Sequence, residues 1–111
     1  MAFAIETRTS NGRTVIRPCG EVDARNAAGL AERMRICMGP EAGDILVDLS
    51  RTASIDSHTL GVFVYWWKAL KEEGREFSLV CPGKAVTEKL HRTGLDQVLR
   101  IHDDIDAWGQ A

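Results

Sequence analysis

Two short apolar runs constrain this chain most: Asp44-Ile45-Leu46-Val47-Asp48-Leu49 and Phe77-Ser78-Leu79-Val80-Cys81. Each is bounded within five or six residues and reads as a strand with both faces buried. Such strands occur where helices connect parallel neighbours. The stretch between them, from about His58 to Glu73, has helical periodicity and is closed by Gly74. A strand, a crossover helix and a second strand therefore form the centre of the domain. The remaining segments must dock around that unit.

Those segments are legible in turn. Ala2 to Arg8 alternates apolar and polar residues, Asn11-Gly12 tolerates the positive φ of a two-residue turn, and Thr14 to Cys19 resumes as a strand. After Gly20-Glu21-Val22-Asp23, the span Arg25 to Cys37 is helical, with Leu30, Met34 and Cys37 on one side, until Met38-Gly39-Pro40 stops it. Lys84 to Arg92 is a further helix ended at Thr93-Gly94. Leu99-Arg100-Ile101-His102 is a weak last strand, and Asp103 to Trp108 is the acidic start of a final helix. The order β-β-α-β-α-β-α-β-α predicts an α/β fold: a mixed, mostly parallel sheet opened by a hairpin, with right-handed crossovers. No linker or repeat divides residues 1–111, so one domain is expected.

Charge and motif content exclude several function classes. With 14 basic against 16 acidic residues and no basic stripe, direct nucleic-acid binding is not expected. No apolar run approaches the roughly 20 residues that span a bilayer, so membrane insertion is not expected. The opening MAFAIETRTSNG lacks the order of a signal peptide, which makes the cytoplasm the expected compartment. Cys19, Cys37 and Cys81 show no metal-ligand spacing, and Cys19 and Cys81 read as small core residues. Neither a phosphate-cradling loop nor a dinucleotide fingerprint is present, so no cofactor is expected.

The stretch Ile55-Asp56-Ser57-His58-Thr59-Leu60-Gly61-Val62-Phe63 concentrates the polar chemistry. Asp56, Ser57 and His58 have the residue types of a hydrolase triad, but adjacent side chains diverge, whereas a triad converges from separate parts of a fold. The sequence also lacks a nucleophile elbow, so no enzymatic role is expected. Asp56 or Ser57 is instead expected to cap the helix that follows. On that helix Leu60, Phe63, Val64, Trp67 and Leu70 share the arc predicted to face the sheet, with Lys68 and Glu72 roughly opposite and Tyr65 beside them. Val62, Trp66 and Ala69 widen the apolar face, leaving Trp66 either under a neighbouring helix or on a partner surface.

With these residues in hand, the chain resembles the STAS domain, in particular the bacterial anti-sigma factor antagonists. The likeness runs through the opening hairpin, Gly20-Glu21-Val22-Asp23, Ile45 to Ser50, Ile55-Asp56-Ser57, Leu60-Gly61-Val62 and Gly94-Leu95. The resemblance implies a non-enzymatic module that binds an anti-sigma factor, itself a serine kinase, and is released by phosphorylation at a loop-helix junction reading Asp-Ser-Ser-Gly-Leu-Gly, or with Thr third. Asp56 and Ser57 match its first two positions and Leu60-Gly61 its last two. His58 stands at the acceptor position and Thr59 replaces the glycine. Histidine cannot form a phosphoserine-type ester, so Ser57 and Thr59 are the remaining candidates for modification. The partner-binding and switch residues implied are Asp23, Asp56, Ser57, His58, Thr59, Leu60, Gly61 and Val62, with Trp66 on the helix flank. A homodimer is a further option. The alternative role is that of the small STAS subunit supporting an ABC transporter of lipids.

Overall fold

The structure, a computed structural model, describes residues 3–80 and 82–103. Strands β1 (Ala4–Ser10) and β2 (Arg13–Glu21) form the expected hairpin, paired in unbroken register from Ala4–Cys19 to Ser10–Arg13. Its turn has positive φ at both Asn11 (53°) and Gly12 (74°), the type I′ geometry whose twist suits two-residue hairpins. Helix α1 (Ala27–Cys37) then leads to β3 (Asp44–Asp48), which lies parallel to β2. A three-residue strand β4 (Thr52–Ser54) precedes α2 (Ser57–Glu72), and β5 (Phe77–Val80), α3 (Lys84–Arg92) and β6 (Arg100–His102) complete the described chain. The six-stranded sheet runs β1-β2-β3-β5-β6, with β4 pairing the tail of β2 off that path.

Successive parallel strands are sheet neighbours, added always on the same side. Right-handed crossovers then put the three helices on one face of the sheet. On that face Ile16, Ile45, Val47, Phe77 and Leu79 meet Leu30 and Met34 from α1, Leu60, Phe63 and Leu70 from α2, and Val86 and Leu90 from α3. The alternate residues Leu46 and Val80 are equally buried in a second cluster with Val15. Both faces of the two apolar runs are thus covered, as their composition requires.

Three features differ from the sequence expectation. Strand β4 is too short, and its Ala53 too exposed, to show periodicity. It exists because the end of β2 shifts register at Gly20 (φ 114°) and Glu21, opening a place for Thr52 and Ser54. Helix α1 begins at Ala27 rather than Arg25, because the Asp23 carbonyl takes the Asn26 and Ala27 amides and its carboxylate takes that of Arg25. Cys19 is only half-buried, its thiol 3.9 Å from Glu6 Oε1, so it is not a core residue; burial raises the pKa of that thiol. The predicted final helix lies, apart from Asp103, outside the described residues, as does Cys81.

Candidate functional site

The candidate site lies where the parallel strands end and α1 and α2 begin, the usual location for sites in parallel α/β sheets. Its foundation is the end of β3. Burial alone would raise the pKa of the Asp48 carboxyl, but hydrogen bonds from Ser50 and the Arg17 guanidinium outweigh that and hold it below the ordinary range. Asp48 Oδ1 accepts from the Ser50 amide at 3.0 Å and Oδ2 from Arg17 Nε at 3.0 Å. These bonds fix the turn into β4. The Thr52 hydroxyl donates to the Pro18 carbonyl at 2.7 Å and the Val22 amide to the Ser54 carbonyl at 2.9 Å. The last contact brings the loop carrying Asp23 beside the one carrying Asp56.

Beyond β4, Ile55 turns its side chain into the core, and its carbonyl accepts from Lys89 Nζ of α3 at 2.8 Å. Asp56 has extended backbone (φ −88°, ψ 165°), and its side chain accepts from the Thr59 amide at 2.9 Å. This is the expected cap, made by Asp56 and not by Ser57; it satisfies one of the orphan amides of the first turn.

The residues singled out from sequence separate into two sets. Ser57, His58 and Gly61 are exposed on the first turns of α2. Neither the Ser57 nor the His58 side chain has a hydrogen-bond partner among the described residues. Thr59 and Leu60, by contrast, are 1% and 2% exposed and point inward, so neither can touch a partner in this conformation. Leu60 packs in the core, while the Thr59 hydroxyl is buried without a hydrogen-bond partner. Of the two remaining hydroxyls, only that of Ser57 faces outward.

Val62 and Trp66 are half-buried and rest on the core, as does Trp67 of the arc predicted to face the sheet; Val64, expected on the same arc, is half-buried without joining the core cluster. Tyr65 is 64% exposed and meets Trp66 edge-on, with ring centroids 5.1 Å apart. The sequence reading gave Tyr65 no role. Its signal is spacing: it stands four residues after Gly61 and three after Val62, on the same stripe of the helix. The exposed surface therefore continues from Ser57 and His58 across Gly61 to an aromatic pair.

Asp23 is turned differently. Its carboxylate is held below the ordinary range by the Arg25 side chain and amide, with Arg25 Nη2 at 2.7 Å. Asn26 accepts from the Asp23 amide and donates to the Glu21 carbonyl. Among the described residues no helix is long and apolar enough to cross a membrane.

The sequence profile of the STAS domain matches residues 4–107. The chain belongs to the STAS family. A protein of Thermotoga maritima named as a candidate anti-sigma factor antagonist is 41% identical over 61 residues, 55% of this chain and 54% of that one. The match thus spans about half the length of that relative. The anti-sigma-B factor antagonist of Staphylococcus aureus strain COL is 26% identical over 103 residues, 93% of this chain and 95% of that one. In fold, an anti-sigma factor antagonist from Mycobacterium paratuberculosis superposes with a TM-score of 0.87 at 23% identity, covering 96% of this chain and 90% of that one. The chain is an anti-sigma factor antagonist-like STAS protein.

Proposed function

We propose that this chain is a non-enzymatic regulator acting in the cytoplasm, which binds an anti-sigma factor of the serine-kinase type through the start of α2. His58 occupies the place of the family's phosphoacceptor. The docking surface consists of Ser57, His58 and Gly61, with Val62, Tyr65 and Trp66 along the helix and Asp23 at its margin. The observation that carries this reading is Gly61. It sits inside a helix, is exposed, and a Cβ built there would meet nothing within 4 Å. Glycine in a helix interior costs about 0.5–1 kcal/mol relative to alanine. Gly29 of α1 is open in the same way; what sets Gly61 apart is its place beside the unpartnered side chains of Ser57 and His58, where a partner approaching the helix backbone would meet it.

In the same reading the protein is insensitive to the kinase it binds. Position 58 has no hydroxyl, and the Thr59 hydroxyl lies inside the fold. Ser57 is the one outward hydroxyl of the motif, and phosphate there would add charge and bulk to the docking surface without opposing the helix.

The test is calorimetric titration of the purified protein with anti-sigma kinases of the same organism. His58→Ala should weaken binding. His58→Glu, which places a carboxylate where the family places phosphate, should weaken it about tenfold or more. Equal affinity for all three proteins, each with unchanged circular dichroism, removes His58 from the interface. A second arm uses labelled ATP: wild type should remain unlabelled, and His58→Ser should acquire label.

A further inference from the structure

Strand β1 is the edge of the sheet, and among the described residues no strand pairs with its outer side. It is seven residues long and in continuous register with β2. The strand has no proline or bulge to blunt that edge, and its two charged residues, Glu6 and Arg8, are opposite in sign.

The register fixes which groups face outward. In a two-residue hairpin the closing pair, here Ser10–Arg13, exchanges both hydrogen bonds, and the bonded pairs alternate from there. Arg8, Glu6 and Ala4 therefore turn their backbone groups towards β2. Ile5, Thr7 and Thr9 turn theirs to the open edge.

We propose that this edge pairs with the β1 of a second copy, antiparallel about a two-fold axis at Thr7. This inference does not rest on the anti-sigma reading. A dyad at Thr7 requires Thr7 to exchange bonds with Thr7 of the other copy, and Ile5 with Thr9. All three residues present outward amides and carbonyls. The intervening pairs are Glu6 with Arg8 and Arg8 with Glu6, the close, non-bonded positions where opposite charges attract most. The strand is thus complementary to itself in backbone register and in charge at once, as a two-fold interface demands. Arg8 has no ion-pair partner in the monomer among the described residues, and Glu6 uses one oxygen for Arg17 Nη1 at 3.2 Å. On the helix side of the same edge, Phe3, Ile5 and the 62% exposed Ile36 line an open cavity that the second copy would narrow.

The experiment is sedimentation equilibrium of the full chain from about 1 μM to 1 mM, a range spanning transient to stable association. Wild type should show a monomer–dimer equilibrium. Glu6→Arg alone sets arginine against arginine across the axis, and Arg8→Glu alone sets glutamate against glutamate. Each should weaken self-association about tenfold or more. An equimolar mixture of the two variants, in which both contacts are again opposite in charge, should recover the dimer. Thr7→Pro removes an amide that the β1–β2 ladder does not use, and it too should weaken the dimer with unchanged circular dichroism. It decides the matter if a charge variant fails to fold. A wild type that stays monomeric throughout overturns the proposal. So does a Thr7→Pro protein that dimerises as tightly as wild type, or a mixture of folded charge variants that remains monomeric.

Discussion

Two strand-to-helix junctions lie side by side at one end of the sheet, and they use their polar groups in opposite ways. At the entry to α1, Asp23, Arg25 and Asn26 bond to one another and to Glu21, all within six residues of sequence. At the entry to α2, Asp56 makes one capping bond, and the side chains of Ser57 and His58 stay unpartnered at the surface. What fixes that second junction comes from far away in sequence: Lys89 reaches the Ile55 carbonyl, and Thr52 reaches that of Pro18. A junction closed on itself has little to offer a partner. One held from behind can leave its front free, and the proposal that α2 is the docking element rests on this difference.

The contrast breaks most clearly at Lys89. Replacing it by methionine keeps the aliphatic stem but leaves the Ile55 carbonyl without its charged donor, a loss of about 1–3 kcal/mol. Urea denaturation of Lys89→Met should report that loss, and hydrogen exchange should quicken at residues 55–60 but not at 23–30. Equal quickening at both junctions would mean that they are not independently held. Asp56→Ala comes next, at about 1 kcal/mol, because the Thr59 amide loses its acceptor. Its effect should appear as fraying of the first turn of α2 in the same exchange experiment.

Much of this arrangement was legible in the sequence, for physical reasons that also mark the limit. Ile45 to Asp48 and Phe77 to Val80 are strands in which every residue is buried, and composition records burial on both faces directly. Asp56 was legible as a cap because a short acceptor before an apolar helical run has few other uses. Strand β4 was not legible: three residues with an exposed alanine in the middle have no period, and their pairing depends on the kink at Gly20. The bond from Lys89 to Ile55 joins residues 34 apart and leaves no local trace. Thr59 illustrates a different limit. Its hydroxyl marks it as polar, yet the rotation of α2 carries it inward beside Leu60, where β-branched bulk counts for more than hydrogen bonding.

That burial sharpens the comparison further. The Thr59 hydroxyl lies inside the protein without a partner, so it contributes a desolvation cost and no bond. Thr59→Val keeps the shape and removes the cost, and it should raise stability by up to about 1 kcal/mol. A drop in the thermal midpoint would show that the hydroxyl has a partner, a buried water being the obvious one. Binding of an anti-sigma kinase should be unchanged, because this side chain faces away from the surface.

The smallest expected effect is also the most discriminating. Gly61→Ala adds a methyl group to a helix interior where nothing lies within 4 Å. By helix propensity alone it should stabilise the protein by about 0.5–1 kcal/mol, a few degrees in the thermal midpoint for a domain of this size. If α2 is the docking element, the same methyl group stands where the partner approaches, and affinity should fall while stability rises. These opposite signs cannot both come from damage to the fold. No corresponding conflict is expected at the first junction: Gly29 on α1 is likewise exposed with open space around it, so Gly29→Ala should stabilise to a similar degree and leave binding unaffected. A Gly61→Ala protein that gains stability and binds as well as wild type would place the partner elsewhere, and the contrast between the two junctions would then concern folding alone.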